Sequence, residues 1–258
     1  MNIKDIYMQL TKYAPIELSE TFCRIEDCHD NSGVILSTDD DIDKILFSLD
    51  LTKEAASFAA KEGYKLIVTH HPAIYYPILS ITPETEKPLY ICAQNRIGVI
   101  SMHLNYDSTD FGIDYYLAEG LGAREQKILT CFGGNTGYGR TFEVDSATAE
   151  EIKNRYVKEF GTDKVFIFGD KNKIIKRISS FCGGGADDKA IELSAGSDMI
   201  VSADFKHHII LKALERGFTV MQITHYGSEY YGHRKIAANL QKKLENIKIY
   251  FLTDKRFL

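Results

Sequence analysis

KILFSLDLTKEAASFAAKEGYKLIVT, residues 44–69, begins and ends in apolar runs that are typical of buried strands. The segment between them predicts a helix, because Thr52 is a suitable N-cap and Gly63 a suitable residue just beyond the C-terminal end. RISSFCGGGADDKAIELSAGSDMIVSA, residues 177–203, repeats the order strand, helix, strand later in the chain. Strands that alternate with helices are typical of βαβ units. We therefore predict an α/β fold of two related halves, with mixed sheets flanked by helices.

Composition excludes several classes of protein. The 258 residues are 44% hydrophobic and 26% charged, which are ordinary values for a globular chain and exclude disorder throughout. A net charge of −5 makes a nucleic-acid partner unexpected, and no run reaches the ~18 apolar residues of a membrane-spanning helix. The five cysteines form no C-x-x-C pair, so we expect reduced and mostly buried thiols in a soluble, cytoplasmic protein.

Histidines concentrate at one kind of position in the sequence. Six of the eight follow predicted buried strands: His70, His71, His103, His207, His208 and His225. Open α/β sheets build their binding sites at the carboxyl ends of strands. IGVISMHLNYD and FTVMQITHYGSE each place a strand before a His-x-x-x-carboxylate pair, namely His103 with Asp107 and His225 with Glu229. Hydrogen-bonded polar residues at a sheet edge would explain each histidine singly, but the set as a whole predicts a metal site.

The adjacent pair His70 and His71 favours two ions rather than one. Successive side chains at the end of a strand diverge, so each of these imidazoles is better placed to hold one of two neighbouring ions. A dinuclear site needs an anionic bridge between the ions, which a carboxylate supplies. Imidazole and carboxylate ligands suit zinc, iron or manganese, and the sequence does not choose among them.

Five motifs, in order along the chain, carry a family resemblance from about residue 28 to the end: CHDNSGVIL, SLDLTKEAASFAAKEGYKLIVTHHPAIYYPI, ISMHLNYDSTDFGIDYYLAEGLGA, FCGGGADDKAIELSAGSDMIVSADFKHH and THYGSEYYG. They resemble the motifs of the Nif-three-like family, whose members are often labelled GTP cyclohydrolase 1 type 2 homologues. The chain is similar to the short form of that family, because no further domain is inserted between the two halves.

The resemblance implies a dinuclear metal centre with these five protein ligands: His70, His71, Asp107, His225 and Glu229. By the family pattern, His71 and Asp107 bind one ion, His70 and His225 bind the other, and Glu229 bridges them. For these ligands to meet, the tail must return to the first half. We therefore predict one discontinuous domain of residues 1–126 and 222–258, which carries the metal site, and a second domain of residues 127–221.

The resemblance also implies a toroidal homohexamer whose metal sites face an internal cavity. Tyrosine is favoured at interfaces, so the candidate contacts between subunits are YYP, residues 75–77, and EYYG, residues 229–232. Their tyrosines are Tyr75, Tyr76, Tyr230 and Tyr231.

Several further residues have more than one interpretation. His103 is a candidate second-shell group that orients a carboxylate or binds substrate; a third ligand and a structural residue are the alternatives. Asp204, where the family often has glutamate, and His208 are candidate proton carriers, and His207 is a candidate lining residue of the same cleft. The alternative for this segment is a solvated helix start.

Gly183, Gly184 and Gly185 lie between a predicted strand and a predicted helix, where backbone N–H groups can cradle an anion. A tight turn needs glycine as well, so a turn is the alternative. The segment NTGYGR presents the same choice for Arg140, either an anion contact or a glycine-rich turn.

Two functions of different classes fit these features. The first is a metal-dependent hydrolase that acts on a nucleotide or a phosphate-containing small molecule, because two ions activate water and polarise the bond under attack. The alternative is a metal-binding or regulatory scaffold without turnover. The ligand set by itself does not separate the two.

Overall fold

The computed structural model describes residues 1–258. The ten helices are α1 (Ile3–Tyr13), α2 (Glu17–Glu26), α3 (Lys53–Glu62), α4 (Lys87–Gln94), α5 (Leu104–Ser108), α6 (Ile113–Gly120), α7 (Ala149–Phe160), α8 (Asp188–Leu193), α9 (His207–Glu215) and α10 (His225–Lys243). The eleven strands are β1 (Gly33–Leu36), β2 (Lys44–Ser48), β3 (Leu66–Thr69), β4 (Gly98–Ser101), β5 (Gln126–Gly133), β6 (Thr136–Thr148), β7 (Val165–Phe168), β8 (Ile174–Ser180), β9 (Met199–Ser202), β10 (Thr219–Ile223) and β11 (Lys248–Phe251).

The chain forms two compact units. Unit 1 consists of Met1–Thr109 and His233–Asp254, and unit 2 of Asp110–Gly232 and Lys255–Leu258. The units therefore end at different residues from the predicted domains of 1–126 with 222–258 and of 127–221. Strand pairing accounts for part of this difference: β10 pairs with β7 and β9, which keeps residues 219–223 in unit 2, whereas β11 pairs with β2 in unit 1.

Unit 1 contains a five-stranded sheet in the order β1-β4-β3-β2-β11. β11, β2, β3 and β4 are parallel, and β1 is antiparallel to β4 at the edge. Leu46, Ile67 and Val99 from three adjacent strands pack with Ala55 and Ala59 of α3 in a buried core. Because β3 and β4 are parallel neighbours, with Thr69 opposite Ser101, the residues that follow them emerge side by side.

Unit 2 contains a six-stranded sheet in the order β5-β6-β8-β9-β10-β7. β8, β9 and β10 are parallel, and the remaining pairs are antiparallel. Ile200 of β9 and Val220 of β10 pack with Ile209 and Ala213 of α9. The mixed sheets with flanking helices confirm the predicted fold class.

The local signals of the first strand–helix–strand segment are confirmed. Thr52 caps α3 by accepting a hydrogen bond from the Ala55 N–H, and Gly63 ends the helix in the left-handed conformation at φ +73°. No helix of the chain is long and apolar enough to cross a membrane.

The expectation about cysteines was partly wrong. None of the five cysteines forms a disulfide, but only Cys92 and Cys182 are buried, whereas Cys28 and Cys131 are exposed. Cys28 lies just beyond α2 and Cys131 in β5, so neither belongs to the buried parallel strands that the apolar patterns predict.

Candidate functional site

The candidate ligands of unit 1 lie at the carboxyl ends of two adjacent strands. His70 and His71 directly follow β3, His103 follows β4 by two residues, and Asp107 lies in α5. One ligand nitrogen from each of the three histidines lies within 4.8 Å of the others. The parallel pairing of β3 with β4 thus brings together residues that are more than 30 positions apart in sequence.

Each of these three imidazoles is held through its Nδ1. His70 Nδ1 is 3.0 Å from the Met102 carbonyl oxygen, His71 Nδ1 is 2.7 Å from Asp50 Oδ1, and His103 Nδ1 is 2.8 Å from Asp30 Oδ1. A carbonyl or carboxylate oxygen can only accept, so Nδ1 carries the proton in each ring. Nε2 is therefore the nitrogen through which each ring can bind a metal, which is the usual arrangement for ligating histidines.

Asp30 is a strongly stabilised carboxylate in unit 1. Burial by itself raises its pKa, but the hydrogen bonds and charge of His103 and the hydrogen bonds of Ser32 and Ser19 outweigh that effect and lower the pKa to about 2. Ser32 Oγ also accepts a hydrogen bond from the His103 N–H, at 2.9 Å. The segment of residues 30–32 therefore fixes both the backbone and the ring of His103.

The candidate ligands of unit 2 lie one helical turn apart. α10 begins at His225, and Glu229 follows four residues later on the same face. His225 Nε2 lies 3.1 Å from Glu229 Oε1, and His225 Nδ1 lies 2.5 Å from Asp204 Oδ2. Glu229 is almost fully buried, at 2% exposed. Asp204 adopts a left-handed backbone conformation at φ +51°, which is uncommon for a residue other than glycine and signals a constrained position.

The other predicted residues of unit 2 have different surroundings. His207 and His208 lie at the exposed start of α9, as the alternative of a solvated helix start predicts. Gly183, Gly184 and Gly185 lie between β8 and α8. Arg140 is buried in β6, with its Nε 3.6 Å from Asp114 Oδ2.

Sequence analysis missed the two carboxylates that hold imidazole rings in unit 1. Asp50 follows β2, the parallel neighbour of β3, so its place at the same sheet edge was a usable signal. Asp30 precedes β1, an antiparallel edge strand whose pairing the sequence did not predict. His233 was also missed: it is fully buried in α10, its ring lies 5.9 Å from that of His70, and burial lowers its pKa well below the ordinary value.

The donor groups of both units fit a divalent metal ion in their chemistry, and the pair in unit 2 also fits one in its geometry. Two donors that lie ~2.1 Å from one ion, at angles of ~90–110°, are ~3.0–3.4 Å apart. In unit 2, His225 Nε2 and Glu229 Oε1 are 3.1 Å apart, which lies within this range. In unit 1, His70 Nε2 and Asp107 Oδ1, which the family pattern assigns to neighbouring ions, are 3.5 Å apart. These groups offer nitrogen and oxygen without thiolate, which is the chemistry of zinc, iron and manganese sites.

The chain matches the Duf34/NIF3 (NGG1p interacting factor 3) family over residues 1–256. The chain belongs to this family. The chain is similar to a GTP cyclohydrolase 1 type 2 homolog from Clostridium perfringens, with 29% identity over 95% of this chain and 94% of the relative.

Two solved structures extend the comparison. A Staphylococcus aureus protein, SA1388, matches with a TM-score of 0.88 at 23% identity, over 98% of this chain and 97% of the other. Reduced HcgD from Methanocaldococcus jannaschii matches with a TM-score of 0.80 at 28% identity, over 98% of each chain. The predicted family assignment is confirmed, and the likeness to these structures shows the fold.

Proposed function

We propose that this Duf34/NIF3 chain binds two divalent metal ions through five side chains: His70, His71, Asp107, His225 and Glu229. The observation that carries the proposal is the shared arrangement of His70, His71 and His225. In each ring Nδ1 is hydrogen-bonded to an oxygen acceptor, so Nε2 is the nitrogen that can act as a metal ligand. Glu229 is proposed to bridge the ions, as the family resemblance implies. The native metal is zinc, iron or manganese.

We further propose that the metal-bound protein is a hydrolase for a nucleotide or a phosphate-containing small molecule. Two bound ions supply Lewis acidity and lower the pKa of water. The protein's own part is orientation: Asp50 and Asp204 hold the rings of His71 and His225. Asp204 is thereby engaged as an orienting group, and His208 remains a proposed proton carrier. His103, fixed by Asp30, is proposed to bind substrate or to orient a ligand.

Elemental analysis of purified variants tests the metal proposal. Glu229→Ala should lose both ions, because it removes the bridging charge as well as one bond to each ion. Asp107→Ala and His225→Ala should each retain about one ion per chain. His207→Ala is the matched control, because His207 is an exposed histidine of the same unit and should retain both ions. Two ions in Glu229→Ala, or fewer than two in the wild type, would contradict the proposal.

Turnover requires a separate experiment. Protein of known metal content is incubated with a panel of nucleotides and phosphoesters, beside chelated protein and Glu229→Ala. The relatives' name directs the first choice of substrate to GTP. Metal-dependent product formation supports a hydrolase, whereas tight metal binding without any turnover supports the alternative, a metal-binding or regulatory scaffold.

We propose a homohexamer as the assembly. Tyr230 and Tyr231 were candidate contacts, but both are buried within unit 2, where their hydroxyls donate to the Phe160 carbonyl oxygen and to Glu159. Tyr75 and Tyr76 remain exposed. Light scattering should report about six times 29.2 kDa, and a stable monomer at micromolar concentration would contradict the assembly.

A further inference from the structure

The glycine loop of unit 2 is tied directly to the turn that carries His225 and Glu229. The Gly183 N–H donates to Ser228 Oγ at 2.8 Å, and Ser228 Oγ donates to the His225 carbonyl oxygen at 2.7 Å. On its other side, the Gly183 carbonyl oxygen accepts from the Ala203 N–H at 3.2 Å. The Gly183 peptide is thus fixed between the end of β9 and the first turn of α10.

A side chain at position 183 would collide with the Glu229 carboxylate. An added Cβ would lie well inside 3.0 Å from Glu229 Oε1, a separation that real Cβ atoms essentially never show. The same Cβ would lie 3.4 Å from Cε1 and Nε2 of His225. Because Glu229 is 2% exposed, its carboxylate has little free space into which to move. Gly183 also has φ +58°, a backbone conformation that residues other than glycine rarely adopt.

The preceding residue prevents the loop from shifting away from Glu229. The Cys182 N–H donates to Asp114 Oδ1 at 3.3 Å, and the Tyr138 hydroxyl donates to the Cys182 carbonyl oxygen at 2.5 Å. Asp114 is fully buried and faces the buried Arg140. Movement of Cys182 would break its hydrogen bonds to the buried Asp114 and the partly buried Tyr138, which is costly. The backbone of Cys182 and Gly183 is therefore held in place beside the Glu229 carboxylate, and we call these two residues the backbone wall.

The surroundings of the loop disfavour an anion. The Gly183 N–H already donates to Ser228, and the N-terminus of α8 is capped by the Asp187 side chain, which accepts from the Ala190 N–H at 2.7 Å. Glu229 and Asp204 contribute carboxylates beside Gly183 and Gly184. A phosphate at this position would face two like charges, whereas a cation would be attracted by both.

We propose that Gly183 is a positioning residue, whose missing side chain lets a fixed backbone wall hold the Glu229 carboxylate beside His225 for a divalent cation. The proposal deepens the metal-binding function and rests on it for the choice of ligand. The contact between position 183 and the Glu229 carboxylate depends on packing alone, so its effect on stability is measurable in metal-free protein.

The first experiment is urea unfolding of the full chain in chelator. Gly183→Ala should unfold at a lower urea concentration than Gly161→Ala. Gly161 is the matched control in the same unit: it has φ +70°, and an added Cβ would meet only Tyr230 Oη, at 3.9 Å. Both variants carry similar backbone strain, so a difference between them reports the contact at position 183.

A double-mutant cycle tests whether Glu229 is the residue with which the Cβ added at position 183 collides. Glu229→Asp shortens the side chain by one methylene, so it should restore part of the stability lost in Gly183→Ala. Equal midpoints for Gly183→Ala and Gly161→Ala, together with no rescue by Glu229→Asp, would overturn the positioning role whether or not the protein binds metal.

Zinc titration by calorimetry tests the consequence for binding. Gly183→Ala should bind Zn²⁺ at least ~10-fold more weakly than Gly161→Ala, the scale on which groups that orient ligands act. If Gly183→Ala does not fold, Ser228→Ala removes the hydrogen bond to Gly183 without added volume and should also weaken Zn²⁺ binding. Its control is Ser194→Ala, another buried serine that bonds a helix carbonyl oxygen. Unchanged affinity in Ser228→Ala would overturn the proposal, whereas a wild type without zinc binding would refute the metal function itself.

Discussion

Unit 1 and unit 2 each present histidine and carboxylate donors, but they position them by different means. In unit 1, His70, His71 and His103 come from the ends of two parallel strands, and the sheet itself sets their separation. In unit 2, His225 and Glu229 come from one helical turn, and a glycine loop limits where the carboxylate can lie. The comparison teaches that main-chain pairing between strands positions the donors of unit 1, whereas helix geometry and the closely packed backbone of a loop position those of unit 2.

The largest expected effect tests whether the two donor sets serve the same ion. His70→Ala and His225→Ala should each lose one metal ion per chain if, as proposed, both histidines bind the same ion. The double variant should then lose no more than one, which elemental analysis measures. A double variant without any metal would show that the two histidines bind different ions and that the units act separately.

The next effect concerns the carboxylates that orient a ring in each unit. Asp50→Asn and Asp204→Asn keep the shape of the side chain but remove the charge that holds Nδ1 of His71 and His225. Each should weaken Zn²⁺ binding ~10–100-fold, as is typical of groups behind a metal ligand. Calorimetry measures the affinities, with the exposed Asp163→Asn as the control. If neither variant differs from that control, ring orientation does not limit binding in either unit.

A pH effect of about 2 kcal/mol is expected from Asp30 in unit 1. Folding lowers the pKa of Asp30 from 3.8 to about 2, so ionised Asp30 stabilises the fold above about pH 4. That contribution is lost as the pH falls from about 4 through about 2. The stability difference between the wild type and Asp30→Asn, from urea unfolding at several pH values, should therefore shrink over this range. A difference that stays constant down to pH 2 would contradict the lowered pKa.

The smallest effect compares helix caps. Thr52→Ala in α3 of unit 1 removes a single cap hydrogen bond, whereas Thr148→Ala in α7 of unit 2 disrupts a capping box with Glu151. Each should cost about 1 kcal/mol of unfolding free energy, with the larger cost at Thr148. Urea unfolding checks this, and Lys61→Ala, at an exposed position of α3, should have no measurable effect. A larger cost at Thr52 would show that the second hydrogen bond of the capping box, from the Thr148 N–H to Glu151, adds no stability.

Helix α10 shows where sequence patterns were insufficient. The segment HYGSEYYG, residues 225–232, contains two glycines and three tyrosines, which have low helix propensity. The helix begins at His225. Both glycines lie in close packing: a Cβ on Gly227 would collide with the Tyr156 hydroxyl, and one on Gly232 with the Ile113 backbone. Tertiary contact overrides the low propensity there.

The sequence by itself determined the α/β class, the family, and which histidines and carboxylates are candidates, because strand patterns and turn signals are local properties. The motif THHP after an apolar run predicts the C-terminal end of a buried strand, and this prediction needs no knowledge of the neighbouring strands. Only the tertiary structure decided that Asp50, Asp30 and Asp204 hold imidazole rings and that Gly183 faces Glu229. Those contacts join residues 21 to 73 positions apart, and their distances depend on strand order and loop packing, which no local pattern encodes.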